Sequence, residues 1–283
     1  MTQPVIDLAA ELPPASSVEG VALPDYDRSR LKAGIVHFGV GGFHRAHQAM
    51  YLDRLLRAGK ATDWGICGVG VLPNDARMRD VLKAQNGLYT LVEKAPDGSQ
   101  TVTVIGSIVD YLFAPDDPDA VIEKMADESI KIVSLTITEG GYNLDAVTGE
   151  FDAGNPVILE EVNSDGPPKT VYGLVVAALK LRRERGLPPF TVMTCDNIQG
   201  NGEIAKGTFS SYARLTDPEF ADWMIGNVAF PQFDGRPDHP GHHAGGHSRA
   251  HREPSGQGRL AGGLRAVRAV GPARSFPARS TAL

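Results

Sequence analysis

The chain has 283 residues, 42% of them hydrophobic, and a formal charge of −6. That length suits one large domain or two smaller ones with a sizeable core, and two cysteines, Cys67 and Cys195, in apolar runs read as reduced thiols rather than a secreted disulfide scaffold. No apolar run reaches the roughly 20 residues that span a bilayer, and the polar, proline-bearing start (Thr2 to Ser17) is unlike a secretory leader, so a cytoplasmic protein with no membrane partner is expected.

Residues 1–30 read as an irregular lead-in, with Pro13, Pro14 and Pro24 opposing regular structure. The next stretch, Ile35-Val36-His37-Phe38-Gly39-Val40-Gly41-Gly42-Phe43-His44-Arg45-Ala46, starts as a buried strand and passes through a glycine turn. It then enters a segment of helical apolar spacing over Arg45–Leu56. Strand, glycine turn, helix is the setting in which Gly-x-Gly becomes a dinucleotide motif. Gly39 permits the tight turn, and Gly41 lets the backbone approach a pyrophosphate near free N–H groups. The third fingerprint position is His44 rather than glycine, so an ordinary strand-to-helix turn stays open on spacing alone.

Trp64–Val71 reads as a second strand, and Asp75 lies just past its end. A carboxylate there binds the ribose hydroxyls of a dinucleotide; it also serves as a helix cap for Ala76–Lys83. Leu88–Glu93 and Gln100–Ile105 read as a strand pair around Pro96-Asp97-Gly98. A helix is expected over Pro118–Asp127, a strand over Ile130–Thr138, a helix over Thr170–Gly186 and a strand over Phe190–Cys195. Further helices are expected from near Glu203 and over Pro218–Val228. Strands alternating with helices make this an α/β chain with a Rossmann-type, doubly wound, mainly parallel sheet. The strand ending at Thr138 leads into Glu139, and the one ending at Cys195 leads into Asn197. Ligands of such sheets gather at these strand ends. There a carboxylate relays protons and an amide N–H holds a substrate oxygen; the plainer alternative is a turn acid and a turn amide.

Charge divides the chain. Residues 232–283 hold eight Arg, no Lys and three acids, a charge of +5, against −11 for the rest. This basic tail is expected to be disordered, and its histidines (His239, His242, His243, His247 and His251) lack the cysteines or scaffold of a zinc site, so no metal is expected. Nor is a specific nucleic-acid partner. Oligomeric state is not encoded in any feature of the sequence.

Three motifs in order carry a resemblance. Gly34–Gln48, Ser134–Tyr142 and Cys195–Gly202, supported by Trp64–Gly70 and Phe230-Pro231, resemble the mannitol dehydrogenase family of long-chain polyol dehydrogenases over about residues 25–231. The resemblance implies an NAD-dependent oxidoreductase that interconverts a sugar alcohol and a ketose, such as mannitol and fructose. It also implies a Rossmann-type domain, here 31–231, followed by a mainly helical domain. By motif match, the cofactor loop runs from Ile35 to Ala46 with Gly39, Gly41, Phe43, His44 and Arg45 at its centre, and Asp75 favours NAD over NADP. Asn197 matches an amide that stabilises the alkoxide, and Glu139 an acid near the proton path. A uronate reductase (fructuronate or tagaturonate) or an arabinitol dehydrogenase of the same family is the alternative activity.

The chain departs from the family in one decisive place. The family's general base is the lysine of a Lys-x4-Asn-x2-His motif in the helical domain. No lysine here has an asparagine five residues on, and the last lysine is Lys206. After Pro231 the sequence fits a shifted reading frame. Codons CAA TTC GAT GGT CGA CCG GAT CAC CCC for residues 232–240 read one base later as Asn-Ser-Met-Val-Asp-Arg-Ile-Thr-Pro, which resembles the family's continuation. Leu264–Gly271 yields a family-like string at the same offset. Little or no turnover is therefore expected of this chain. A non-catalytic NAD-binding remnant or an unstable product is the contrasting reading.

Overall fold

A computed structural model describes residues 20–232 and the short strand 266–269. In chain order the strands and helices begin with β1 (Val21–Ala22), β2 (Lys32–Phe38), α1 (Gly42–Ala46), α2 (Gln48–Arg57), β3 (Trp64–Gly70) and α3 (Ala76–Ala84). Then come β4 (Tyr89–Lys94), β5 (Gln100–Ile105), β6 (Ile108–Phe113), α4 (Pro118–Ala126), β7 (Ile132–Leu135) and α5 (Pro156–Val162). The last are α6 (Val171–Glu184), β8 (Thr191–Thr194), α7 (Asn201–Thr216), α8 (Pro218–Asn227) and β9 (Ala266–Ala269).

The main sheet has the order β6-β3-β2-β7-β8, and every neighbouring pair is parallel. The chain starts in the middle, winds outward on one side through β3 and β6, then crosses back to β7 and β8. That reversal places a topological switch point between β2 and β7, and ligands of open α/β sheets bind outside the strand ends there.

Burial follows the two-residue period of β2. Val36 and Phe38 point into a large core with α4, α6, α7 and α8, while Ile35 points into a second core with α2 and the β4–β5 hairpin. The hairpin belongs to a small second sheet, β1-β5-β4-β9. Its turn falls where Pro96-Asp97-Gly98 predicts it, with Gly98 at φ +84°. Helix starts follow capping chemistry: Asp117, Thr170 and Asp217 accept from Ala120, Gly173 and Phe220, and proline opens α4 and α8. Arg182 is buried in α6 and donates to the carbonyls of Met125, Asp127, Ile130 and Pro188, tying the α4–β7 link to the helix that covers it.

Three expectations change in detail. The helix expected over Arg45–Leu56 starts earlier, at Gly42, and breaks at His47 (φ −124°, ψ −83°), giving α1 and α2. The strand expected over Ile130–Thr138 is shorter, because its last residues leave the ladder to bind β8's loop. Ala266–Ala269, inside the tail expected to be disordered, form a strand antiparallel to β4, with Leu91 opposite Ala269. The edge of a hairpin offers unpaired N–H and C=O groups to any extended segment. The rest of the tail, histidines included, and the first 19 residues lie outside the described residues.

Candidate functional site

A cavity of about 890 Å³ opens at the switch point. Its floor is the turn Gly39-Val40-Gly41; one end reaches Asp75 and Arg77, and the other reaches Thr138, Asn155, Lys169 and Tyr172.

The two glycines of the turn serve different ends. Gly39 has φ +92°, and a Cβ there would stand 2.1 Å from the Thr136 carbonyl oxygen, so the crossing of β2 and β7 itself demands glycine. Gly41 has φ −81°, and its nearest obstacle to a Cβ is the Gly39 carbonyl oxygen at 3.9 Å. Nothing in the fold needs glycine there; its bareness faces the cavity it lines.

The Gly39 and Val40 carbonyls of the turn are engaged by donors of the protein. Gly39 O accepts from Gly41 N at 2.6 Å, Thr136 Oγ1 at 2.7 Å and His37 Nε2 at 3.2 Å. Val40 O accepts from Arg45 Nη1 at 2.8 Å. Arg45 is 9% exposed and lines the cavity, yet it forms no ion pair among the described residues. Burial lowers its pKa from the usual guanidinium value, but a guanidinium stays protonated at neutral pH. A buried cation without a carboxylate is costly, so the arrangement calls for an anionic ligand.

Asp75 follows β3 in a short helical turn. Its Oδ2 accepts from the N–H groups of Val71 and Leu72, both at 3.0 Å, and no side-chain bond caps α3. The expected cap is thus replaced by a clasp on the turn after β3, which holds the carboxylate at the cavity wall.

The remaining loop residues are mostly inside, with Gly42 and Phe43 exposed. Ile35, Val36, Phe38 and Ala46 are core side chains. Gly42 opens α1, and Phe43 is 57% exposed and stacks on His47 at a centroid distance of 4.4 Å. His37 and His44 are fully buried and stack on each other at 3.6 Å. His37 Nδ1 meets Ser134 Oγ at 2.8 Å, and Nε2 meets Thr136 Oγ1 at 2.9 Å. His44 Nδ1 meets Gln48 Oε1 at 3.0 Å, while its Nε2 is buried without a hydrogen-bond partner.

Burial holds both imidazoles neutral. His44 is lowered to about 3, and His37, also repelled by His44, falls well below the usual value. Folded values below the unfolded 6.5 mean that the unfolded chain binds more protons between them. Stability is therefore full above about pH 6.5 and is lost as pH falls toward the folded values; His44 alone contributes a loss of about 2 kcal/mol at pH 5, and His37 acts in the same direction. The unfolding midpoint in urea should fall between pH 6.5 and 5.0, and His44→Gln should flatten that slope. A midpoint constant over this window in the unsubstituted chain would contradict neutral burial.

Glu139 and Asn197 stand at adjacent strand ends, after β7 and β8, but both are exposed and neither lines the cavity. Sequence reading missed the residue between them. Asp196 accepts from Ile137 N at 3.1 Å, Thr138 N at 2.9 Å and Tyr142 Oη at 2.8 Å. It fastens the loop after β7, in which Thr138 adopts φ +65°, ψ 169°. Only the conformation, not the residue types, marks that loop as strained. Among the described residues no group of three or more His, Cys, Asp or Glu could hold a metal ion, and no helix is long and apolar enough to cross a membrane.

The mannitol dehydrogenase Rossmann domain model matches residues 33–233. The chain belongs to the mannitol dehydrogenase family. It is 48% identical over 219 residues to the mannitol 2-dehydrogenase of Pyricularia oryzae, covering 77% of this chain and 43% of that protein. Identity to the polyol:NADP oxidoreductase of Gluconobacter oxydans is 47% over 213 residues, covering 75% and 44%. The Pseudomonas fluorescens mannitol 2-dehydrogenase, solved as a ternary complex with NAD and D-mannitol, superposes with a TM-score of 0.73 at 46% identity, over 75% of this chain and 43% of that one. A D-sorbitol dehydrogenase in substrate-free form gives 0.72 at 45% identity, over 76% and 45%. The chain thus spans less than half the length of these relatives. The family match ends two residues past Pro231, where the composition of the chain changes.

Proposed function

We propose that residues 31–231 are the NAD-binding domain of a polyol dehydrogenase of the mannitol 2-dehydrogenase type, and that this chain has little turnover. The observation that carries the reading is Arg45, a buried cation without a carboxylate partner among the described residues, beside a glycine turn whose Gly39 and Val40 carbonyls are already taken by donors of the protein. That chemistry fits a pyrophosphate. Gly41 leaves room for close approach, the first N–H groups of α1 have no partner within the helix, and Arg45 supplies the countercharge. Asp75 would take the adenosine ribose hydroxyls and repel a 2′-phosphate.

When bound, NAD supplies the hydride acceptor for alcohol oxidation. The protein's part is to orient the substrate and move its proton. Asn197 would donate its amide N–H to the developing alkoxide, and Glu139 would sit near the proton path. A neutral base to take the alcohol proton is the missing element, since the Lys-x4-Asn-x2-His pattern is absent from the sequence. A one-nucleotide frame change after Pro231 accounts for both its loss and the arginine-rich tail; resequencing the locus tests that account.

Calorimetric titration with NADH and NADPH, paired with a mannitol oxidation assay, tests the reading. NADH binding without turnover is expected, with Asp75→Ala narrowing the preference over NADPH by about tenfold. Preference for NADPH in the unsubstituted chain, in line with the Gluconobacter relative's name, would overturn the role given to Asp75. Binding of neither nucleotide would sink the cofactor-domain reading, and turnover would mean that another base acts.

A further inference from the structure

Five polar side chains behind the glycine turn, of which His37, His44 and Ser134 are buried and Thr136 and Gln48 half-buried, form one chain of hydrogen bonds whose direction follows from donors and distances. Gly39 O can only accept. Thr136 Oγ1 donates its single proton to that oxygen at 2.7 Å, so toward His37 it can only accept. His37 Nε2 therefore carries the proton. Burial, with His44 stacked on it, keeps His37 neutral, which leaves Nδ1 as an acceptor for the hydroxyl proton of Ser134. Ser134 Oγ also stands 3.3 Å from Gln48 Oε1, but its one proton goes to the nearer His37 Nδ1 at 2.8 Å, and Oγ then accepts from Gln48 Nε2 at 3.1 Å. The amide is then oriented with Oε1 toward His44 Nδ1, which donates, and His44 Nε2 ends the chain as an unpartnered lone pair.

We propose that this relay is a positioning device for the cofactor turn: Ser134 selects the Nε2–H tautomer of His37, and that tautomer holds the Gly39 carbonyl off the cavity. The inference rests on the dinucleotide reading above for its purpose, but the tautomer and carbonyl are defined without any ligand. In the opposite tautomer a bare Nε2 would face the Gly39 carbonyl oxygen at 3.2 Å, lone pair to lone pair. The bare Nε2 would also compete for the Thr136 proton at 2.9 Å, leaving Gly41 N as the carbonyl's remaining donor; a carbonyl so released would turn its negative oxygen on an anionic ligand near the start of α1. The relay spans the switch point, joining β2 through His37, β7 through Ser134 and α2 through Gln48. His37 and Ser134 are register partners across β2 and β7, so the sheet itself aligns the bond that sets the tautomer. His37, Ser134 and Gln48 are thus positioning residues, acting on the ligand through Gly39.

The test compares Ser134→Ala with Ser107→Ala in the full chain. Ser107 is equally buried and also loses one hydroxyl bond, to Ala49 O at 2.7 Å, but takes no part in the relay. Nitrogen-15 spectra of the imidazoles and the carbonyl-carbon shift of Gly39 are read without ligand, and NADH affinity is read by titration. In the unsubstituted chain, protonated His37 Nε2 and protonated His44 Nδ1 are expected. Ser134→Ala should shift His37 toward the Nδ1–H form, move the Gly39 carbonyl signal and weaken NADH about tenfold, roughly one lost buried hydrogen bond. Ser107→Ala should leave the tautomers, the Gly39 signal and the affinity unchanged. Equal losses of affinity in the two variants, or an unmoved Gly39 signal in Ser134→Ala, would overturn the proposal. Were the unsubstituted chain not to bind NADH while the tautomer and carbonyl responses appeared as stated, the relay would stand and the cofactor reading would fall.

Discussion

Asp196→Ala is expected to destabilise the chain by about 4 kcal/mol, measured as the shift in urea midpoint at constant slope. The carboxylate accepts from two consecutive backbone N–H groups, Ile137 and Thr138, and from the Tyr142 hydroxyl. Its loss leaves three donors without that acceptor, and hydrogen bonds to a charged group contribute about 1.5–3 kcal/mol each. Thr138 makes the position costlier still. At φ +65° and ψ 169° it occupies a region used almost only by glycine, at about 1–3 kcal/mol of strain for a β-branched residue. Asp196 keeps it there. Two further variants separate tether from bulk. Asp196→Asn retains one acceptor oxygen and should lose about half as much. Thr138→Gly, which relieves the strain, should make Asp196→Ala markedly less damaging when the two are combined. Strictly additive losses would show that Asp196 does not hold the Thr138 conformation.

Much of the architecture was legible in the sequence where an element carried a clear signal. Four of the five parallel strands are short apolar runs, and the longer helices carry helical spacing together with a cap or an opening proline, as at Asp117-Pro118 and Asp217-Pro218. The glycine turn and Asp75 were legible for the same reason, each lying at a strand end. β6 and α5 were not anticipated; β6 mixes Asp110 and Tyr111 into its apolar run, and α5 is only seven residues long. What else stayed hidden depends on contacts between segments distant in sequence. The break at His47 interrupts good helical spacing, where the chain must bend to lay Gln48 against Ser134. Asp196 reads as one polar residue in a polar loop until the fold brings β7 beside β8. Arg45 becomes informative only once burial and the absence of a carboxylate partner among the described residues are seen together.

The two glycines of the turn give the sharpest separation of fold from function. Gly39→Ala should disable both. Its φ of +92° lies outside the range an alanine adopts comfortably, and the new methyl would stand 2.1 Å from the Thr136 carbonyl oxygen and 2.9 Å from its carbon. Backbone cannot yield as a flexible side chain does. Relief requires parting β2 from β7, which are joined there by Thr136 N to Phe38 O at 2.9 Å. A loss of about 4 kcal/mol is expected, enough to exhaust much of the stability of an ordinary domain, with NADH binding lost alongside. Gly41→Ala should behave differently. Its φ of −81° suits alanine, and only the Gly39 carbonyl oxygen, at 3.9 Å, stands near the added carbon. The urea midpoint should move by less than about 0.5 kcal/mol equivalent, while NADH affinity falls about a hundredfold because the methyl fills the approach to the turn. Should Gly41→Ala bind NADH as the unsubstituted chain does, the bare face of Gly41 would not be a pyrophosphate seat, and the cavity's ligand would have to be sought along its Thr138 and Lys169 end. A stable Gly39→Ala would place the fault earlier, in the crossing of β2 and β7 itself.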